Sequence, residues 1–596
     1  MTPLETFQSR KIHFQNLAEQ FQKQYNQWAV FRAILFVAVA AIGYFCYEFY
    51  DFAYTLLVLI IGIALFLFSV TKHLKIKYLR DKNRTLSTLN EDEIQRLENR
   101  FTRTETGEVF AEDNHFYASD LDIFGKQSLY KLLNRTHTFG GAKMLANWLL
   151  HPAETTEILN RQKAIQELSE KIDWRQDLEA SAMLIEEVSE PTHQLLAWND
   201  APANQKIQQP LFQIARFLPY ITIPVILAWI LGFVPIYIVL VLMGIHGLIL
   251  KQIFTEVTVA LDQTNRIAGA MKAYSALAEL IVLEDFQEEK LQNLKSKIAE
   301  ASPAILALED ILNKMANRTN PFFAFVVGIP TLWDIQYFIK LENWKANHRE
   351  NLPTWLAVIA EFETLNSLAG YRFANPTFIQ PSIVAGGVFL KAKALGHPMI
   401  RHNKRVANDI ELIGGGKTII ITGSNMSGKS TFQRTVAINV VLALTGGVVC
   451  AESFECSYLQ VFTSMRSNDS LEEGTSSFYA ELKRLKQLID EVGTGKQNKA
   501  SILYFLDEIL KGTNSKDRHE GARALMLQLH KTSASGFIST HDVELGDEFD
   551  EQDFVKNYSF SSEVVNDDLV FDYKLRKGVC HSFNASQLMK RIGIEM

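Results

Sequence analysis

Cysteine is scarce: Cys46, Cys450, Cys456 and Cys580 are the only four, with no Cys-x-x-Cys spacing and no histidine cluster beside them. That pattern speaks against a disulfide-built scaffold or a structural zinc site and fits a reduced, cytosolic setting. Positive charge is not in excess either. A formal net charge of -7 excludes a surface that is basic all over, while leaving local basic patches open. The first thirty residues offer no small-residue cleavage site before the first apolar run, so no cleaved signal peptide is expected. Lys, Arg, Asp and Glu are missing altogether from Phe217 to Leu250, where His246 is the only ionisable side chain besides tyrosine.

What is present is length and apolar residues. A chain of 596 residues is too long for one core, so two or more domains are expected. The hydrophobic excess, 47% of residues, is concentrated in two blocks. In the first, Phe31–Tyr47 and Ala53–Val70 flank the polar break Glu48-Phe49-Tyr50-Asp51, and runs such as Leu56 to Ile61 are apolar on every face, as a membrane-spanning helix is. In the second, Gly232-Phe233-Val234-Pro235 supplies turn chemistry between two spans of about sixteen residues. Pro219 and Pro224 kink the first of these.

Lys72, Lys75, Lys77, Arg80, Lys82 and Arg84 follow the first block at once, which places both its flanks on the cytoplasmic side and suits anionic lipid head groups better than nucleic acid. Two hairpins and four crossings then keep everything after Leu250 in the cytoplasm. Phe14, Leu17, Phe21, Tyr25 and Trp28 recur at helical spacing ahead of the first span, predicting an amphipathic helix on the membrane or on the core. Asn320–Ile339 is also apolar, and reads as core or as membrane interface.

The chemistry-bearing text lies further on. Lys417–Thr422 reads as a buried strand, followed by Gly423-Ser424-Asn425-Met426-Ser427-Gly428-Lys429-Ser430-Thr431 and a helix from Phe432. Strand, glycine-flanked loop and helix together aim backbone N–H groups at phosphate. Lys429 is expected on the β- and γ-phosphates of ATP and Ser430 on Mg2+. Ile502–Leu506 is a second buried strand ending in Asp507-Glu508, which suits magnesium coordination through water by Asp507 and activation of the attacking water by Glu508. A third, Gly536–Thr540, delivers His541 as a γ-phosphate sensor. Gly474 to Leu482 opens a helix with a small polar cap, and its distance from the P-loop points to an anion held by a partner subunit.

Gly423–Thr431, Gly474-Thr-Ser-Ser-Phe478, Leu506-Asp-Glu-Ile509 with Gly512-Thr513, and Ser539-Thr-His-Asp542 together resemble the ATPase domain of the MutS family, known from DNA mismatch repair. Asp122 to Leu129, Leu133-Asn-Arg-Thr136, Gly140-Gly141, Trp148, Pro152 and Arg161-Gln162 resemble the start of that family's helical core. The resemblance implies an α/β P-loop ATPase of ABC type joined to an all-α core and lever domain. To these the sequence adds two transmembrane helical hairpins.

The expected layout is an amphipathic helix at 1–28, hairpins at 29–72 and 217–250, a juxtamembrane linker at 73–114, core at 115–210, core and lever helices at 251–380, and the ATPase at 381–596. The resemblance also implies a homodimer in which Ser476 of each protomer meets the γ-phosphate held by the other. Phe-x-Glu triplets occur at Phe110 and Phe286, but neither lies in a mismatch-reader domain, and no DNA-gripping clamp insertion is evident. The expected function is ATP hydrolysis at the cytoplasmic membrane, acting on DNA or a DNA-bound complex. Moving a solute or lipid, or nucleotide-controlled scaffolding, are the alternatives.

Overall fold

The computed structural model describes residues 1–183, 191–202, 210–466, 477–493, 501–565 and 568–580. Two helices open the chain, Pro3–Phe49 and Phe52–Leu97, packed side by side as a hairpin. Thr2 starts the first with a capping box, its hydroxyl accepting from the Glu5 N–H while Glu5 reaches back to the Thr2 N–H. Close packing within the hairpin is set by Gly62, whose missing Cβ leaves room for Val39. From Val30 to Phe68 the outer surface is a nearly continuous coat of exposed apolar side chains.

One expectation needs correction: of the linker expected at 73–114, residues 73–97 belong to the helix that runs unbroken from Phe52 to Leu97. The amphipathic segment 1–28, expected on the membrane or on the core, is the lower half of Pro3–Phe49. Its stripe faces protein: Phe14 packs on the cluster of Leu86, Leu89 and Ala180, Tyr25 lies 4.1 Å from the His73 ring, and Phe7 meets Phe373. Arg10 donates to Asp173 and Gln176, and Lys82 pairs with Asp177, tying this stalk to the helix Ile172–Met183.

The helical body is organised on Asn351–Ala374, whose side chains are buried on almost every face. At its foot lies a dense buried network. Arg135 forks onto Glu93 with two bonds of 2.8 Å, and Arg96 donates to the carbonyls of Lys131 and Asn134. Beside it Glu363 accepts from the N–H groups of His137 and Thr138. Burial raises the Glu363 carboxyl to about 7, against those bonds. A carboxyl raised from an ordinary value near ~4.3 contributes stability that is full below that value and lost as pH rises to about 7. Glu363→Gln is therefore expected to flatten the fall in melting temperature between pH 5 and pH 8, and an unchanged fall would refute the assignment.

The second apolar block forms Pro219–Ile230, a turn, and then a single long helix Ile236–Leu283. The turn lies where expected, but the first arm has 12 residues, shorter than the span predicted, and the second does not end at Leu250. Residues 320–339 divide: Pro321–Thr331 is half-buried with Phe322 and Phe325 exposed, and bends by 77° at Leu332 into the core helix Trp333–His348.

The C-terminal part contains two sheets. β1 (Ser382–Val384), β2 (Phe389–Leu395), β3 (Asn408–Ile413) and β5 (Ser453–Ser457) form one, in the order β1-β5-β2-β3. The larger comprises β4 (Thr418–Gly423), β6 (Leu459–Ser464), β7 (Ser501–Asp507), β8 (Ser535–Thr540), β9 (Val555–Val565) and β10 (Asp568–Lys577), in the order β10-β9-β4-β8-β7-β6. All its pairings are parallel except β9–β10. The apolar runs of β4 and β7 are covered on both faces, which is why they read as continuous rather than alternating.

Candidate active site

Because β4, β7 and β8 are adjacent and parallel, Gly423, Asp507-Glu508 and His541 emerge at the same edge of the sheet, where ligands bind in open α/β folds. The loop after β4 turns through Met426 and Gly428, both left-handed, into the helix Lys429–Thr445. Gly428 has φ 106°, and a Cβ there would press on the Tyr573 ring at 3.1 Å.

Lys429 is buried, and its Nζ donates to the carbonyls of Gly423 (2.9 Å) and Ser424 (3.1 Å). Burial lowers its pKa, opposed by Glu508 and Asp507. The hydroxyls of Ser424 and Ser427 are buried without a hydrogen-bond partner. A loop with two orphaned hydroxyls, a buried ammonium and a helix N-terminus fits phosphate. Ser427 and Lys429 border a cavity of about 370 Å³ that also receives Asn425, Met426, Ser430, Thr431, His397, Asn408, Phe560 and Tyr573.

Glu508 stands in the left-handed region at φ 49°, with its N–H donating to the Ser539 carbonyl. Its Oε1 lies 2.7 Å from His541 Nε2 and 3.9 Å from Lys429 Nζ, and Lys511 approaches its other oxygen at 3.2 Å. The approach of His541 is the main cause that brings the Glu508 carboxyl down to about 2, with burial opposing and Lys511 reinforcing. His541 Nδ1 sits 2.9 Å from the Gly423 carbonyl, so that ring bridges the P-loop and Glu508. Asp507 accepts from the Ser539 hydroxyl. Ser430 and Asp507, the expected metal ligands, sit on neighbouring elements at this edge. Gly474, Thr475 and Ser476 lie outside the described residues.

Several contributors carry no motif of their own. His519 is held between Asp542 (2.7 Å) and Glu548 (3.2 Å), which raises its pKa and steadies the turn after His541. Asn408 pins the strand irregularity at Tyr573, donating to its carbonyl and accepting from the Leu575 N–H. His397 is buried on the cavity wall, its pKa lowered to about 4 by desolvation and by Arg405 and Arg434. On the helix Ser477–Gly493, Glu481 accepts from the Leu510 N–H while Arg484 donates to the carbonyls of Thr463, His115 and Phe116. That helix thus joins the loop after Glu508 to the start of the helical body. A second grouping, Glu112, His115 and His151, is no metal centre: His115 Nδ1 accepts from the N–H groups of Tyr117 and Ala118, and its Nε2 faces the Leu150 carbonyl.

Residues 108–369 match MutS domain III and residues 419–593 match MutS domain V. Curated relatives include a DNA mismatch repair protein MutS of Natronomonas pharaonis, 27% identical over 317 residues covering 52% of this chain and 34% of that one. Another protein of that name, from Staphylococcus saprophyticus, is 30% identical over 267 residues, 43% of this chain and 29% of its own. An Endonuclease MutS2 of Bacillus velezensis is 26% identical over 264 residues, 43% and 31% respectively. The chain spans about a third of the length of these relatives. Two domain matches in the family's order, on the helical body and on the sheet that carries the site, make this chain a member of the MutS family.

Proposed function

We propose that the chain is a membrane-anchored ATPase that binds ATP with Mg2+ at Gly423–Thr431 and hydrolyses it in a two-protomer sandwich. The observation that carries the reading is the pair of orphaned hydroxyls, Ser424 and Ser427, beside the buried ammonium of Lys429, with Glu508 on the opposite wall. In this reading Lys429 leaves the Gly423 and Ser424 carbonyls for the β- and γ-phosphates. Glu508 accepts a proton from the water that attacks the γ-phosphorus, the bond to the β–γ bridging oxygen breaks, and ADP and phosphate leave. Ser430, and Asp507 through a water, would hold Mg2+, which would supply positive charge against the phosphates. His541 reports phosphate to Glu508, and Ser476 of the second protomer completes the site.

Three described helices are long and apolar enough to cross a membrane, or up to four if the bent pair at Leu332 counts as one. With the cationic run Lys72–Arg84, this supports anchoring in the cytoplasmic membrane, with the N-terminus, helical body and ATPase on the cytoplasmic side. The names of the relatives support DNA, or a DNA-bound complex, as the object on which the closing dimer acts. A solute pathway is not favoured, because His246 is fully buried between Thr222 and the Ile329 carbonyl.

Lys429→Ala is expected to weaken ATP binding by about 10–100-fold, the worth of charge-assisted bonds to phosphate. Fluorescent-nucleotide titration measures it, and unaltered affinity would exclude the assignment. For DNA, the expected result is nucleotide-dependent binding that weakens steeply with salt. Absence of binding at low salt in both nucleotide states would remove DNA from the proposal.

A further inference from the structure

The two apolar hairpins differ at their tips. The tip of the first is polar and aromatic, with Glu48 and Asp51 among Tyr44, Tyr47, Tyr50 and Tyr54. Such residues belong at a membrane–water interface. The run Phe52 to Thr71 behind it is about 30 Å long, the thickness of the hydrocarbon core. By contrast, the tip of the second is Leu231-Gly232-Phe233-Val234-Pro235, without a polar side chain, and Phe233 is 80% exposed. Its first arm, Pro219–Ile230, has 12 residues and so measures about 18 Å. The second arm reaches about 22 Å from Ile236 before Lys251 intervenes. It attains spanning length only when Lys251 is included.

A third short arm joins them. Pro321–Thr331, about 16 Å long, carries no charge and exposes Phe322 (76%) and Phe325 (75%). Arg318 and Asp334, which flank it in sequence, pair at 3.2 Å. His246 ties all three arms: Nδ1 donates to the Ile329 carbonyl (2.8 Å), leaving Nε2 to meet the Thr222 hydroxyl (3.1 Å). The charges gather at the foot, among Trp333 and Tyr337, while Trp229 and Tyr237 flank the tip. Trp333 Nε1 donates to the Lys314 carbonyl, Lys340 lies 4.4 Å over Tyr337, and Gln336 donates to the Arg216 carbonyl.

We propose that Pro219–Leu250 and Pro321–Thr331 form a wedge that enters only the cytoplasmic leaflet of a phospholipid bilayer, its tip at Phe233 ending in hydrocarbon while the first hairpin crosses. The proposal rests on the membrane reading above and replaces two of its four crossings. The chemistry fits a single leaflet: short uncharged arms, a tip without charge, and cations at the opposite end only. The long helix Ile236–Leu283 continues from the wedge into the helical body, so movement of either is felt by the other.

Single cysteines at Asp51, Phe233 and Phe325, placed in the full chain carrying Cys46→Ser, test it. Labelling by a membrane-impermeant maleimide is compared in intact cells and inverted vesicles, and spin labels at the same positions are compared for collision with oxygen and with a nickel chelate in bilayers. The expected result is that Asp51→Cys labels from outside, while Phe233→Cys and Phe325→Cys label from neither side and favour oxygen. Labelling of Phe233→Cys from outside would overturn the wedge and leave a hairpin that crosses twice, with the membrane reading intact. Labelling of Phe233→Cys or Phe325→Cys from the cytoplasmic side, or low collision with both probes as at a protein contact, would also overturn it. Labelling of Asp51→Cys only from the cytoplasmic side would instead sink the membrane reading, and the wedge with it.

Discussion

Glu508→Gln is expected to lower ATP turnover by at least about 100-fold while ATP still binds. The substitution keeps the shape of the side chain and removes the only feature that can accept the proton of the attacking water. Glu508 is positioned for this by backbone rather than by chance, since its left-handed φ of 49° turns the side chain back over the P-loop, within reach of His541 and Lys429. A carboxyl brought down to about 2 stays ionised throughout the neutral range, so no acid limb in the activity profile between pH 5 and pH 8 should belong to it. Single-turnover hydrolysis and nucleotide binding measured on the same preparation separate the two effects. Turnover within a few-fold of the wild type would mean that another group takes the proton.

Arg135→Ala is expected to destabilise the helical body by about 3–5 kcal/mol, the cost of taking the bidentate partner from a buried carboxylate and leaving it only Arg96 at 3.6 Å. Glu93, on the stalk helix, is almost fully enclosed, and Arg135 meets both of its oxygens. Arg135 also donates to the carbonyls of Leu133 and Ser367, so its loss strips partners from backbone on two other segments. Gly370 makes the placement feasible: a Cβ there would come within 2.5 Å of the Arg135 Nε. The double variant Glu93→Ala/Arg135→Ala is expected to lose less than the sum of the single ones, because each single variant already loses the contact between the two. Additive losses in denaturant unfolding would show that the pair acts independently, against this reading.

Both expectations come from residues of different legibility. The position of Glu508 could be read from sequence: an apolar run of five residues from Ile502 to Leu506 demanded a covered parallel strand, and the residues directly after such a strand sit at the sheet edge. The P-loop and His541 were legible for the same reason. Arg135 was not, because its partner is reached through folding across 42 positions and nothing in either segment marks a buried ion pair. His519 and Asn408 escaped likewise, being isolated polar residues whose value depends on Asp542 and Tyr573 lying opposite.

Length was the other blind spot. Hydropathy located both apolar blocks but could not say where the helices end, since nothing breaks the helix between Phe52 and Leu97 although its environment changes near Lys72. The 12-residue arm Pro219–Ile230 was overestimated because Phe217 and Leu218 are apolar without belonging to it, and Leu231 to Val234 belong to the turn.

The central claim is ATP hydrolysis at Gly423–Thr431. Phosphate release by the purified full chain in bilayer discs, with and without Mg2+ and with Lys429→Ala as the control, tests it most directly. The expected result is Mg2+-dependent release that rises with protomer density as the sandwich forms and vanishes in Lys429→Ala. No ATP bound and no phosphate released by the intact protein at any density would contradict it.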